Sequence, residues 1–325
     1  MQSQKLSSIQ ALRGIAAFMV CFFHLAGHSD GNRTLLQSED PLKHLSSFGP
    51  TGVFVFFVIS GFVIPLSMDR SKFDLSKAAT FFKKRLWRLH PPYLVTLAIT
   101  IAIGVYNNST GMTHLDLSAM NIVSHFFYVT HIFNLEWLNP IFWTLAIEIQ
   151  YYIILVVLFS WINSDQIWKR ATVIAVLLSS TWLLPDDRFI TYYISPFIVG
   201  FSCYYFLVKK FSFLECAVYA IAASFVILQF VGLHWLIASL AAAAFILYIT
   251  SVHRSLSFLG NISYSLYLTH PMIGGLIIFV LMPFSNGIIT DYIILFSGLA
   301  ASIAFSWLFY RLVEVPSMRK AQNVS

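Results

Sequence analysis

Phe213-Leu-Glu-Cys-Ala-Val-Tyr-Ala-Ile-Ala-Ala-Ser-Phe-Val-Ile-Leu-Gln-Phe-Val231 is apolar on nearly every side of a helix, and a second such run follows over 234–250. A surface helix of a soluble protein keeps one polar face, and these stretches offer almost none. A run of about 20 apolar residues is long enough to cross a bilayer. Such runs recur from Ile9 almost to the C-terminus of the 325-residue chain, which is 58% hydrophobic and 10% charged. An ordinary soluble domain is about a quarter charged. The chain therefore reads as an all-α, polytopic integral membrane protein with one membrane-embedded domain over 1–325.

The formal charge of +6 does not point to nucleic acid. In a multispan protein Lys and Arg gather in cytoplasmic loops, where they orient the chain. Cys21, Cys203 and Cys216 lie within or beside apolar runs. They read as small buried hydrophobes, without the spacing of a disulfide framework or a metal site. The N-terminal apolar run is interrupted by Arg13 and His24 and has no clear cleavage site, so it reads as a first span and not as a signal peptide.

The apolar segments are 8–27, 50–68, 86–106, 119–134, 141–162, 167–185, 189–208, 213–231, 234–250, 262–284 and 290–311. Loop charges choose among them. Segment 69–90 carries Arg70, Lys72, Lys77, Lys83, Lys84, Arg85 and Arg88 and belongs inside, whereas 28–49 is mixed in sign (Asp30, Arg33, Glu39, Asp40, Lys43) and belongs outside. Loop 107–118 has no Lys or Arg and reads as outside, while Lys169 with Arg170, Lys209 with Lys210, Arg254, and Arg319 with Lys320 read as inside. An odd number of crossings must join 107–118 to Lys169. Segment 119–134 is short and holds His125 and His131, so it is expected to be re-entrant or to lie at the outer interface. Ten crossings with both termini cytoplasmic follow.

A few ionisable groups sit inside these spans. Arg13 and His24 are eleven positions apart, three helical turns, so they share a face about 16 Å apart along the axis. A charged Arg in the bilayer costs about 3 kcal/mol, so it turns inward to the bundle or a wet cavity unless it snorkels to the interface. Glu148 lies about two turns into its span at a depth that could match His24. A carboxylate beside an imidazole fixes its tautomer and raises its basicity; a structural ion pair or a neutral Glu is the bland alternative. Arg85 and Arg88 form an R-x-x-R on one helix face, able to clamp phosphates or simply to mark the cytoplasmic flank. His270 and Tyr267 lie in Asn261-Ile-Ser-Tyr-Ser-Leu-Tyr-Leu-Thr-His270-Pro271. Counted from the cytoplasmic end, His270 has the depth of Arg13. Two layers are expected: Arg13 with His270 below, His24 with Glu148 above.

These pieces resemble the acyltransferase-3 family of bacterial membrane acyltransferases: Leu12-Arg13-Gly14 with His24, Gly52-Val-Phe-Val-Phe-Phe-Val-Ile-Ser-Gly-Phe62, Arg85-Leu-Trp-Arg88 with Pro91 and Tyr93, Phe142-Trp-Thr-Leu-Ala-Ile-Glu148, Ile262-Ser-Tyr-Ser-Leu-Tyr-Leu-Thr-His270-Pro271, and Glu314-Val-Pro316. Each is weak alone, but they follow one another along nearly the whole chain. The resemblance implies transfer of an acyl group, usually acetyl from cytoplasmic acetyl-CoA, to a hydroxyl of an extracytoplasmic glycan at the bacterial inner membrane. It implies His24 as the essential base with Arg13 as its motif partner and Glu148 orienting it. Arg85 and Arg88 then stand at the CoA end, with His270 and Tyr267 along the donor path, and no metal is called for. Val55 departs from the pattern, where an Asp or a small polar residue is expected. No C-terminal SGNH-type esterase segment is present, so the stand-alone branch acting on exopolysaccharide, O-antigen or a similar glycan is the expected relative. A glycan or metabolite transporter is the rival reading. It would favour matched broken helices in two halves.

Overall fold

The computed structural model describes residues 2–29, 33–111 and 114–324. Asp30, Met112 and Thr113, counted above in the outer loops, lie outside the described residues. The regular structure is helical: α1 (Gln2–Ala26), α2 (Pro41–Ser46), α3 (Gly52–Arg70), α4 (Ala78–Thr110), α5 (Ala119–Phe126), α6 (Trp143–Ile162) and α7 (Ile167–Leu183). There follow α8 (Ile190–Tyr204), α9 (Phe213–Phe230), α10 (Leu233–Tyr248), α11 (Arg254–Asn261), α12 (Ser263–Leu281), α13 (Ile288–Phe309) and α14 (Val315–Gln322). Among the described residues the only extended pairing is an isolated bridge between Ser29 and Thr34.

Eight helical stretches among the described residues are long and apolar enough to cross a membrane. The other two expected spans form α7, of 17 residues, and α10, of 16. At 1.5 Å per residue these are about 26 and 24 Å long, short of the ~30 Å hydrocarbon thickness. Large apolar side chains such as Val157, Ile221, Phe225 and Ile293 are exposed, as lipid-facing positions are. The chain is a multi-pass membrane protein.

Segment 119–134 does not form a spanning helix. Ser118 caps α5 by accepting from the Asn121 N–H at 3.3 Å, and α5 ends after eight residues, about 12 Å. Tyr128 (φ 59°) and Asn134 (φ 55°) then turn the chain. His125 brackets the turn: its Nδ1 donates to the Asn121 carbonyl at 2.8 Å and its Nε2 accepts from the Leu138 N–H at 3.1 Å. Those bonds replace the ladder that a continuous helix would have supplied.

The residues group into two compact units that alternate along the sequence. The first takes residues up to Arg13, Val53–Phe82 and Thr144–Ser257. Within it α3 and α8 run antiparallel at backbone contact: a Cβ on Gly61 would collide with the Phe197 carbonyl, and one on Gly200 with the Val58 carbonyl. Small residues that let backbones approach replace the hydrophobic drive that lipid cannot provide between helices. Arg170, read from sequence as a loop charge, is instead buried. Its Nε and Nη2 each donate to Glu215 at 2.7 Å, and the Phe211 ring lies 3.8 Å from its guanidinium carbon.

The second unit takes Gly14–Gly52, Lys83–Trp143 and Phe258–Ser325. In it α12 and α13 form an antiparallel pair, joined by Thr269 and Ser306 hydroxyls at 3.0 Å. On the other side α12 runs parallel to α1. A Cβ at Gly14 would lie 2.5 Å from the Gly260 nitrogen, and further along Leu25 packs against Gly274. This register sets the site.

Candidate active site

α1 is continuous through Arg13 and His24, so the eleven-residue spacing is carried by one unbroken helix. Both side chains are half-buried. Ten residues beyond Gly14 on α1, and ten beyond Gly260 of α11, which leads through Ile262 into α12, His24 meets His270. The Nδ1 of His24 is 3.0 Å from the Nε2 of His270, and the ring centroids are 5.1 Å apart.

The partners of the two rings assign their protons. His270 is fully buried, and its Nδ1 lies 2.9 Å from the Leu266 carbonyl. A carbonyl only accepts, so the proton of neutral His270 is on Nδ1 and its Nε2 is a lone pair. The nitrogen facing that lone pair must donate. His24 Nδ1–H therefore serves His270 Nε2 and, also at 3.0 Å, the Val20 carbonyl. That leaves His24 Nε2 unprotonated, with no hydrogen-bond partner among the described residues. A half-buried imidazole so held offers one basic atom to a substrate proton and can pass charge toward a second ring.

This corrects the two-layer expectation. His270 lies beside His24, not with Arg13 in a lower layer. The depth of His270 was counted from the loop charges, whereas the Gly14–Gly260 contact sets the start of α12 beside Gly14. Glu148, in the other unit, accepts from the hydroxyl of Tyr152, one turn on, and from Ser60 Oγ at 3.5 Å. A Tyr at i+4 shares a helix face with its acid, so this partner was available from spacing alone.

Arg85 and Arg88 lie on α4, both half-buried, one helical turn apart as expected. Among the described residues Arg88 makes no hydrogen bond or ion pair, leaving it open to an anion. Tyr267 sits between two features of the site: its hydroxyl donates to the Ile141 carbonyl at 3.4 Å, and its ring centroid is 6.2 Å from that of His270. Tyr264, from the same motif, donates to the Leu89 carbonyl at 2.8 Å, tying α12 to the helix that carries the arginines.

A family model described as "Acyltransferase domain" matches residues 6–311 and so runs through both units. Among curated proteins the chain is 29% identical to Nodulation protein 10 of Rhizobium leguminosarum bv. viciae over 216 residues, 59% of this chain and 54% of that one. It is 25% identical to the peptidoglycan O-acetyltransferase OatA of Listeria monocytogenes over 193 residues, 54% of this chain and 28% of that one. It is 33% identical to the acyltransferase MdmB of Streptomyces mycarofaciens over 95 residues, 29% of this chain and 23% of that one. The chain thus spans about half the length, or less, of these relatives. No solved structure matches.

Proposed function

We propose, from the premise that the chain belongs to the acyltransferase-3 family, that it is an O-acyltransferase with its donor on the cytoplasmic side and its acceptor outside. The donor is an acyl-CoA, acetyl-CoA in the first instance, and the acceptor is a hydroxyl of a glycan at the outer face of a bacterial inner membrane. An O-acetyltransferase of peptidoglycan among the relatives supports the acceptor class. The observation that carries the reading is the bare Nε2 of His24, left so by the His24–His270 contact at 3.0 Å.

The chemistry follows from that atom. The acceptor hydroxyl gives its proton to His24 Nε2 as its oxygen attacks the thioester carbonyl. The C–S bond breaks, and the departing thiolate takes the proton from Nε2, giving an ester and free CoA. Between those steps His24 is an imidazolium, and the hydrogen bond from its Nδ1–H to His270 Nε2 is then charge-assisted and stronger. His270 is accordingly an orienting partner and not a donor-path residue. Arg85 and Arg88 hold CoA phosphates as guanidinium forks. Arg13, eleven residues before His24 on α1, is too far along the axis to polarise a carbonyl at Nε2 and lines the route of the donor arm. Glu148 accepts from the Tyr152 hydroxyl within its own unit.

Transfer from labelled acetyl-CoA to a glycan by purified protein tests this. Wild type should transfer, while His24→Ala and Arg85→Ala should not. Unchanged transfer by His24→Ala would remove the base from the mechanism, and no CoA-dependent labelling of any glycan would favour a transporter. For the topology, a reporter fused after residue 137 and one at the C-terminus should read outside and inside respectively.

A further inference from the structure

The motif Glu314-Val-Pro316-Ser317 has no part in the steps above, yet both of its polar side chains reach into the helices that carry them. Ser317 Oγ donates to the carbonyl of Trp87, the residue between Arg85 and Arg88. That carbonyl is available for a covalent reason. In α4 its regular donor would be the N–H of the residue four positions on, and that residue is Pro91, which has none. Ser317 supplies the donor that the helix cannot, and an unmade hydrogen bond costs more than a made one contributes. Lys320, one turn further on α14, rests its ammonium 5.2 Å from the Trp87 ring centroid.

Glu314 faces the other way. It is buried at the end of a π-helical turn over Tyr310–Glu314, and Ser265 Oγ of α12 donates to its Oε2 at 2.6 Å. Ser265 lies five residues before His270 on the same helix. The π turn comes directly before Pro316, whose missing N–H already denies the Leu312 carbonyl an ordinary helical donor, and such turns gather at functional sites.

We infer that Glu314 and Ser317 are positioning residues for the two halves of the transfer site: Ser317 holds the arginine-bearing turn of α4 through the carbonyl that Pro91 leaves open, and Glu314 holds α12 and with it His270. This rests on the acyl-CoA reading of Arg85 and Arg88. Two residues of one terminal segment thus fix the donor clamp and the orienting partner of the base against the same anchor.

Steady-state kinetics on the full chain in detergent, with acetyl-CoA varied, test it. Ser317→Ala should raise KM for acetyl-CoA about five- to tenfold, the size of one lost hydrogen bond, and leave kcat within about twofold. Ser317→Thr, which keeps the hydroxyl, should restore it. Glu314→Ala should do the reverse, lowering kcat about tenfold with KM nearly unchanged, and Glu314→Gln, which keeps an acceptor for Ser265, should recover most of the loss. Pro91→Ala gives the Trp87 carbonyl a helical donor, so in that background Ser317→Ala should add no further rise in KM. Parallel changes in kcat and KM, or an undiminished Ser317→Ala effect in the Pro91→Ala background, would overturn the proposal. Failure of unmutated protein to bind CoA would instead remove the donor reading itself and this proposal with it.

Discussion

His24 and His270 are held in hydrogen-bond contact, Nδ1 to Nε2 at 3.0 Å, in a register where Gly14 of α1 abuts Gly260 at the end of α11, just before α12 begins. Both pairs are separated by 246 positions in sequence, so the dyad is a property of two helices running parallel and not of any local motif. A base built in this way depends on its partner for tautomer as well as for placement.

His24→Ala should remove the proton acceptor, and a general base contributes about 10²- to 10⁴-fold. Loss of His270 should cost less. A hydrogen bond to a charged group contributes about 1.5–3 kcal/mol, or roughly 10- to 150-fold in rate. His270→Ala should therefore lower kcat within that range while KM for acetyl-CoA stays near wild type. Single-turnover transfer rates would check it. A rate equal to that of wild type would show that the ring only packs.

The membrane fold was legible because apolar composition over 20 residues leaves a chain few alternatives, and 119–134 was rightly set apart by its length and two histidines. The pairings of Arg13 with His24 and of Arg85 with Arg88 were legible because each pair lies on one unbroken helix, where spacing acts. What spacing could not supply was the offset between α1 and α12. Loop charges place a residue to within a turn or two, whereas glycine contacts fix register to the residue. Tyr152, one turn from Glu148 on its own face, was a partner that spacing alone could have supplied. Arg170 looked like a topogenic charge because nothing in a single sequence reveals that Glu215 lies opposite it.

That buried pair gives a stability test. Both side chains are nearly inaccessible, at 4% and 6% exposure, so Glu215→Ala leaves a guanidinium without its counter-charge. Breaking a buried pair on one side costs about 3–5 kcal/mol, whereas replacing both partners by apolar residues of similar size is often neutral. Thermal unfolding in detergent should show Glu215→Ala far below wild type and Arg170→Met/Glu215→Leu close to it. A double variant as unstable as the single would mean that the hydrogen bond from Arg170 Nη1 to the Ser164 carbonyl, 2.6 Å, carries the stability instead.

His125 is expected to be structural. Its two ring nitrogens are both committed, to the Asn121 carbonyl and the Leu138 N–H, and the latter is buried. His125→Ala leaves that N–H unpaired at about 1–3 kcal/mol. Thermal stability should fall by that amount while single-turnover transfer per folded molecule is unchanged. A selective loss of transfer without loss of stability would move His125 into the chemistry.

The α3–α8 contact predicts a steep dependence on side-chain size. Gly200→Ala drives a methyl group into the Val58 carbonyl, a backbone atom that cannot rotate away, so the two helices must separate. Overpacking of a filled interior costs about 1–3 kcal/mol, and in a membrane the separated helices gain no compensating burial. Gly275 is the control: a Cβ there meets only the edge of the His28 ring at 3.5 Å, an ordinary contact. Folded yield and unfolding temperature should drop for Gly200→Ala and hold for Gly275→Ala. Equal tolerance at both positions would mean that α3 and α8 are not in backbone contact and that some other element holds Phe57 against Phe197, whose rings stack at 4.7 Å.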